Sequence, residues 1–463
     1  MPTGHFAANI QCRFLLFLLA ALTTFSGCGV VEIRRVTNYV YEPQYLSYEK
    51  LRQAGKVGPP RALIRPGKIY LKGRTLFLSD INRGIHVIDI SRPSSPRFAA
   101  FLDLPGNLDM AALGNYLYAD SYVDLMVFDI RNIDKIVPVK RIEESFPYDD
   151  RQCLYGLEKY EAILGGMMRP WRRERWRPRE THRFLRADRK NGVVVAWKES
   201  STVKRHVDTD FSSCCFWSRR LYSVKRSEGG GSASAGVGGS MARFTVVGRC
   251  LYAVSRFDLH VFSLEKPESP VRKGEIRVGF NIETIFPHKG KLFLGSQQGM
   301  YIYDVRQEPE RPRLISKIEH IRSYDPVVVS DPYAYVTLRR GDRGNLEIID
   351  IRDIRMPKLA MRYNIREPFG LGIDGHTLFL CHGRYGLVLY DLKKTPVIEG
   401  LSINIPPAKA GIARVPDIHA FDVIPLEGLL IITGKTGLEF YDYSNPGKPL
   451  RLGGIPVRRT GIK

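Results

Sequence analysis

Four carboxylates stand at comparable places in this chain. Asp109, Glu283, Asp325 and Asp422 each lie near the start of a short, apolar, strand-like stretch. Carboxylates brought to one mouth can hold a cation or a sugar, and a facing pair can run the acid and base halves of glycoside cleavage. The same groups can instead accept hydrogen bonds from neighbouring backbone and from water. A second set of chemistry-bearing residues is the run from Met168 to Arg179, with Arg169, Trp171, Arg172, Arg173, Arg175 and Trp176. Guanidinium groups interleaved with indoles can stack on bases, grip phosphate or carboxylate, or sit at a membrane surface. They can also form a solvated loop whose indoles tuck against the body of the protein.

Other motifs carry less. Gly370-Leu371-Gly372-Ile373-Asp374-Gly375 has the Gly-x-Gly-x-x-Gly spacing, but no helix and no βαβ unit follow it, so it does not read as a dinucleotide site. The sequence has no His-Glu-x-x-His, no zinc-type cysteine spacing and no Gly-x-Ser-x-Gly. Cys381 and His382 are adjacent in a strand-like stretch, so they point to opposite faces and do not share a metal. No catalytic residue, metal or cofactor is therefore assigned. Beyond Cys12 and Cys28 the cysteines are Cys153, Cys214, Cys215, Cys250 and Cys381. A bridge from Cys153 to Cys214 or Cys215 is expected, with Cys250 and Cys381 as small buried hydrophobes.

The elements that must position these groups repeat. A third-strand motif reads Gly-Ile-His-Val-Ile-Asp-Ile at 84–90 and Leu-Met-Val-Phe-Asp-Ile at 125–130, and recurs at 259–264, 300–305, 346–351, 387–392 and 438–443. Asp89, Asp129, Asp304, Asp350, Asp391 and Asp442 close six copies and Ser263 the other; these side chains are expected to accept hydrogen bonds from turn backbone. A strand with an aromatic or aliphatic pair precedes each copy, and a proline turn and a short basic-apolar segment follow most of them. Four strands at a period of about 40 to 50 residues cannot bury their own apolar face and must stack on siblings. The sequence predicts an all-β, seven-bladed β-propeller of four-stranded antiparallel blades, at about 65–104, 105–145, 241–280, 281–322, 323–368, 369–417 and 418–463, with the innermost strands lining a channel. Seven copies close a ring.

One long insertion, 146–240, separates the second and third blades. It carries 19 Lys plus Arg against 11 Asp plus Glu and all four tryptophans. A helix is possible over 155–164, a strand over 192–197, and the Gly/Ser/Ala run at 229–240 reads as flexible.

With Pro93 and Pro96, the motif at 84–91 resembles the LVIVD repeat of bacterial secreted and lipid-anchored propellers. Met241-Ala242-Arg243-Phe244, Asn281-Ile282-Glu283-Thr284, Asp325 to Val329 and Gly370 to Gly375 resemble stretches of the same group. The resemblance implies a fold and a location, without a defined activity. At the N-terminus, a short apolar run, Phe14–Leu22, precedes Phe25-Ser26-Gly27-Cys28. The run is shorter than the roughly 20 apolar residues that span a bilayer. The tetrapeptide resembles the bacterial lipobox, with Phe25 where leucine is usual. It implies a signal peptide over 1–27 and a lipidated Cys28, followed by a tether and N-terminal segment over 28–60, part of which packs on the body.

Forty-two Gly, 29 Pro and 45 Phe plus Tyr suit short strands and tight turns. The formal charge of +22 favours an anionic partner. The reading is a lipid-anchored, extracytoplasmic binding or scaffolding module of the bacterial cell envelope, with the outer membrane favoured. Its expected partners are the membrane, through the lipid, and an envelope protein or anionic glycan; nucleic acid is not expected. The alternative is a glycan hydrolase or lyase using the channel-mouth carboxylates.

Overall fold

Each repeat folds as a meander because its apolar residues fall on successive strands joined by residues that tolerate tight turns. Gly73, Gly114, Gly248 and Gly375 turn with φ between 53° and 59°, a conformation in which a side chain is strained. The computed structural model describes residues 34–150, 152–154, 180–207, 236–319, 326–340, 342–399, 401, 402, 404 and 411–458.

Among these residues seven antiparallel sheets are built on four consecutive strands, and we number them in chain order. Their first and last strands are Pro66–Lys72 and Arg97–Asp103, Met110–Leu113 and Val137–Ile142, Phe244–Val247 and Val271–Arg277, Ile282–His288 and Arg313–Glu319, Val327–Ser330 and Lys358–Arg366, Leu371–Asp374 and Ala413–Val415, and Ala420–Leu426 and Leu450–Pro456. First strands touch in chain order, and the first sheet returns to touch the seventh. The apolar core follows the same circuit. One cluster joins sheets one, two and three, and others join three with four, four with five, five with six, six with seven, and seven with one. No sheet buries its faces alone; each is covered by two neighbours, as in a β-propeller.

Two sequence features explain the joints. The six third-strand aspartates each accept a backbone N–H two residues on: Ser91, Arg131, Arg306, Arg352, Lys393 and Ser444, at 2.8–3.0 Å. These are Asx turns, as expected from the sequence. The proline turns serve the preceding sheet. Tyr118 Oη donates to Pro267 O at 2.8 Å and Tyr252 Oη to Pro309 O at 2.7 Å, pinning sheet two to three and three to four.

Part of the N-terminal segment, Ser47–Gly58, packs on this body. Ser47 caps the short helix Tyr48–Gln53, whose Leu51 is fully buried with Tyr122, Val123 and Val193. Lys56–Gly58 then adds a strand to the outer edge of sheet one.

Two expectations need correction. The run at 229–240 is not flexible throughout: Val237–Gly238 is a strand on the inner edge of sheet one. Its small residues allow this, since a Cβ on Gly236 would meet Leu71 O at 2.5 Å. Cys153 is a buried free thiol rather than half of a bridge; burial pushes it up to about 12, away from the reactive thiolate. Cys214, Cys215 and the helix expected over 155–164 lie outside the described residues, while the strand expected over 192–197 runs from Val193 to Val207.

The chain divides into two compact units. The ring belongs to Pro43–Leu164, Arg186–Trp197 and Leu221–Lys463; the smaller unit draws on Met1–Glu42, Gly165–Leu185 and Lys198–Arg220. Glu180–Phe184 pairs in parallel with Arg34–Leu46, Thr37 opposite Glu180 and Tyr41 opposite Phe184. Val193–Val207 flanks the same central strand on its other side. The Tyr41 and Phe184 rings stack at 4.9 Å.

Candidate functional site

The first strand of each sheet ends in a hairpin, and counting four residues back from the hairpin pair reaches equivalent positions around the channel. With Lys72 opposite Thr75, Leu113 opposite Tyr116, Val247 opposite Cys250 and Leu426 opposite Leu429, those positions hold Lys68, Asp109, Arg243 and Asp422. Sheets four, five and six place Thr284, Pro326 and Gly370 there. Taken around the ring from sheet seven, the charges alternate: Asp422, Lys68, Asp109, Arg243.

Asp109 is 1% exposed. Its Oδ1 accepts from its neighbour Met110 N at 2.7 Å; its Oδ2 accepts from Phe244 N at 3.2 Å and from Arg243 N, both in sheet three. A second buried carboxylate, Asp120, aims it: Asp120 Oδ1 accepts from Leu108 N at 2.8 Å, Asp109 N at 3.0 Å and the Asn107 amide at 2.9 Å. Burial pushes Asp120 up to about 7 against those donors.

Asp422 is 3% exposed. Its Oδ1 accepts from Ser240 Oγ at 3.0 Å, and Ser240 Oγ accepts from Leu371 N at 2.9 Å. Burial raises Asp422 to about 6, opposed by the Lys68 ammonium and by hydrogen bonds. Burial likewise holds Asp109 above the usual carboxylate range, although Lys68 and Arg243 pull it down. Lys68 donates to Met241 O; burial lowers its pKa, while Asp109, Asp422 and Glu283 pull it back up. In all three groups desolvation outweighs the attraction of the opposite charges.

Of the carboxylates expected at the mouth, Asp109 and Asp422 thus lie in one electrostatic cluster with Lys68. Glu283 joins at its margin: half-buried, it accepts from Asn281 Nδ2 at 2.6 Å and Gln297 Nε2 at 3.5 Å. Asp325, Cys28 and the residues Arg169, Trp171, Arg172, Arg173, Arg175 and Trp176 lie outside the described residues. Sequence reasoning missed Lys68, Arg243, Asp120 and Ser240. Counting back from the hairpins finds the first two; nothing local marks Ser240, whose partners are 182 and 131 residues away. Among the described residues no group of three or more His, Cys, Asp or Glu is placed to hold a metal. Nor is any described helix long and apolar enough to cross a membrane.

Seven meander sheets, each packed on two neighbours and the first touching the seventh, define a β-propeller. The chain carries LVIVD repeats: the family model for that repeat matches residues 67–102 and 322–365. No curated protein matches it. Solved structures similar to it include a candidate 6-phosphogluconolactonase from Bacteroides uniformis (10% identity, 81% of this chain and 94% of that chain, TM-score 0.48). Others are the periplasmic gluconolactonase PpgL of Pseudomonas aeruginosa (10%, 85% and 95%, 0.44) and Sqt1 of Saccharomyces cerevisiae (10%, 92% and 94%, 0.45).

Proposed function

We propose that the protein is a binding or scaffolding propeller of the bacterial cell envelope, held at a membrane, with the outer membrane favoured, by lipid on Cys28. One observation carries the preference for binding over catalysis. Asp109 and Asp422 are engaged by main-chain N–H groups and Ser240, whereas glycoside cleavage requires two carboxyl groups facing a space that admits sugar and water. Ligand selection then falls to the loops and the insertion, which a rigid ring presents. An envelope protein or an anionic glycan suits the +22 charge.

The small sheet supports a role for the insertion at the membrane. In this parallel pair Thr37 lies opposite Glu180, so two described segments, one following Cys28 in the sequence and the other following the Arg/Trp run, begin at the same end of the sheet. Acyl chains contribute about 0.8 kcal/mol per buried methylene, and a neighbouring basic patch makes anchoring firmer.

Fatty-acid labelling of cells should mark the wild type and leave Cys28→Ala unlabelled; equal labelling would remove the anchor. Deleting residues 168–190 should cut binding to vesicles containing anionic lipid by about tenfold or more at low salt, and unchanged binding would remove the basic contact. Retention of a measured glycan-cleaving activity after alanine replacement at Asp109, Glu283, Asp325 and Asp422 would end the channel-enzyme alternative. Its abolition, in variants that still fold, would revive that alternative.

A further inference from the structure

The junction of sheets seven and one has the hardest task in the ring, because it joins the two ends of the repeat array. Each of these sheets supplies its own four strands, so no shared strand staples them. Where sheets two and three reach across with Tyr118 and Tyr252, sheet seven has Ile431, which has no hydroxyl. The junction keeps an apolar cluster, including Ile69, Leu71, Ile424 and Ile431, and one backbone bond, Arg458 N to Leu63 O at 2.8 Å.

The end of the insertion lies across this junction on the channel side. Val237 and Gly238 pair with Leu71 and Tyr70 of sheet one. Gly236 N donates to Tyr70 Oη at 2.9 Å and Gly239 N to Ile69 O at 3.3 Å. The next residue, Ser240, binds Asp422 of sheet seven and Leu371 of sheet six, and Met241 O takes the Lys68 ammonium back in sheet one. Close approach is built in: a Cβ on Gly239 would fall 2.1 Å from Asp422 Oδ2, and one on Gly370 would fall 2.3 Å from Asp422 Oδ1. Asp422 is held between two glycine backbones.

We infer that Gly236–Met241 is a clasp that closes the ring from inside, linking sheets one, six and seven with a segment that comes from outside their own four-strand meanders. The insertion between sheets two and three thereby becomes part of ring closure.

Hydrogen exchange of the full-length chain tests the clasp. In Gly239→Val, amides of Pro66–Lys72 and Ala420–Leu426 should exchange about tenfold faster or more, while those of Cys250–Val254 and Lys291–Ser296 change less than about threefold. Ser240→Ala keeps the backbone path and serves if the valine variant does not fold. It should speed exchange at Leu371 and across Ala420–Leu426 by about three- to tenfold, again with sheets three and four little changed. Wild-type rates at the junction in either folded variant, or acceleration spread evenly over all sheets, would overturn the clasp.

Discussion

The turn aspartates and the channel aspartates are the same residue doing opposite kinds of work. Asp304 serves its own turn: it accepts Arg306 N at 2.9 Å and pairs with the Arg306 guanidinium at 2.7 Å, so its pKa is lowered although burial opposes. Asp109 serves another sheet, accepting backbone N–H groups more than 130 residues away, and burial raises its pKa. A local contact recurs with the repeat and can be lost one copy at a time. A long-range contact at the channel holds two sheets in place and has no second copy.

That contrast sets an order of effects. Asp109→Ala should have the largest, about 3 to 5 kcal/mol of unfolding free energy, because it takes the acceptor from three backbone donors, Met110, Arg243 and Phe244, and leaves the Lys68 ammonium short of its counter-charge. Denaturant titration reads this, and a loss below about 1 kcal/mol would dissolve the distinction. Tyr118→Phe comes next at about 1 to 2 kcal/mol, since it removes one cross-sheet donor while keeping the ring. Asp304→Ala should cost about 0.5 to 1 kcal/mol, in line with a single partly solvated turn bond. A cost equal to that of Asp109→Ala would break the comparison from the other side.

Asp422→Asn sharpens the comparison through pH. The folded value of Asp422 is raised to about 6 from 3.8, so the native state binds the extra proton between those values. Its contribution to stability is complete below about 3.8 and is lost as pH rises through about 6. The stability difference, wild type minus the asparagine variant, should therefore fall between pH 4 and pH 6 and level off above. A flat difference over that window would show that Asp422 titrates normally.

Much of the ring is legible in the sequence for the same reason. The third-strand motif, its closing aspartate and the proline turn lie within about a dozen residues of one another in the sequence, so each repeat carries the marks of its own sheet. The channel position of Asp109 follows once the hairpins are placed. Ser240 does not, because its chemistry comes from Asp422 and Leu371, which only ring closure brings near. The Gly/Ser/Ala run misleads in the same way: composition that reads as slack in isolation is, at Gly236 and Gly239, the only composition thin enough to pass Leu71 and Asp422. Cys153 reads as a bridge because the spacing of cysteines says nothing about depth, and its thiol is buried.

The three residues Lys56–Gly58 have a mechanical consequence. Tension applied from before Ser47 first meets the buried Leu51 and then the pairing of Val57 with Leu102, on the outer edge of sheet one. Gly55 N and Ala54 O add bonds to Asp103 and to Arg141 of sheet two. A pull from the N-terminal side therefore loads the perimeter of sheets one and two, and the inner junction of sheets seven and one is spared the strain.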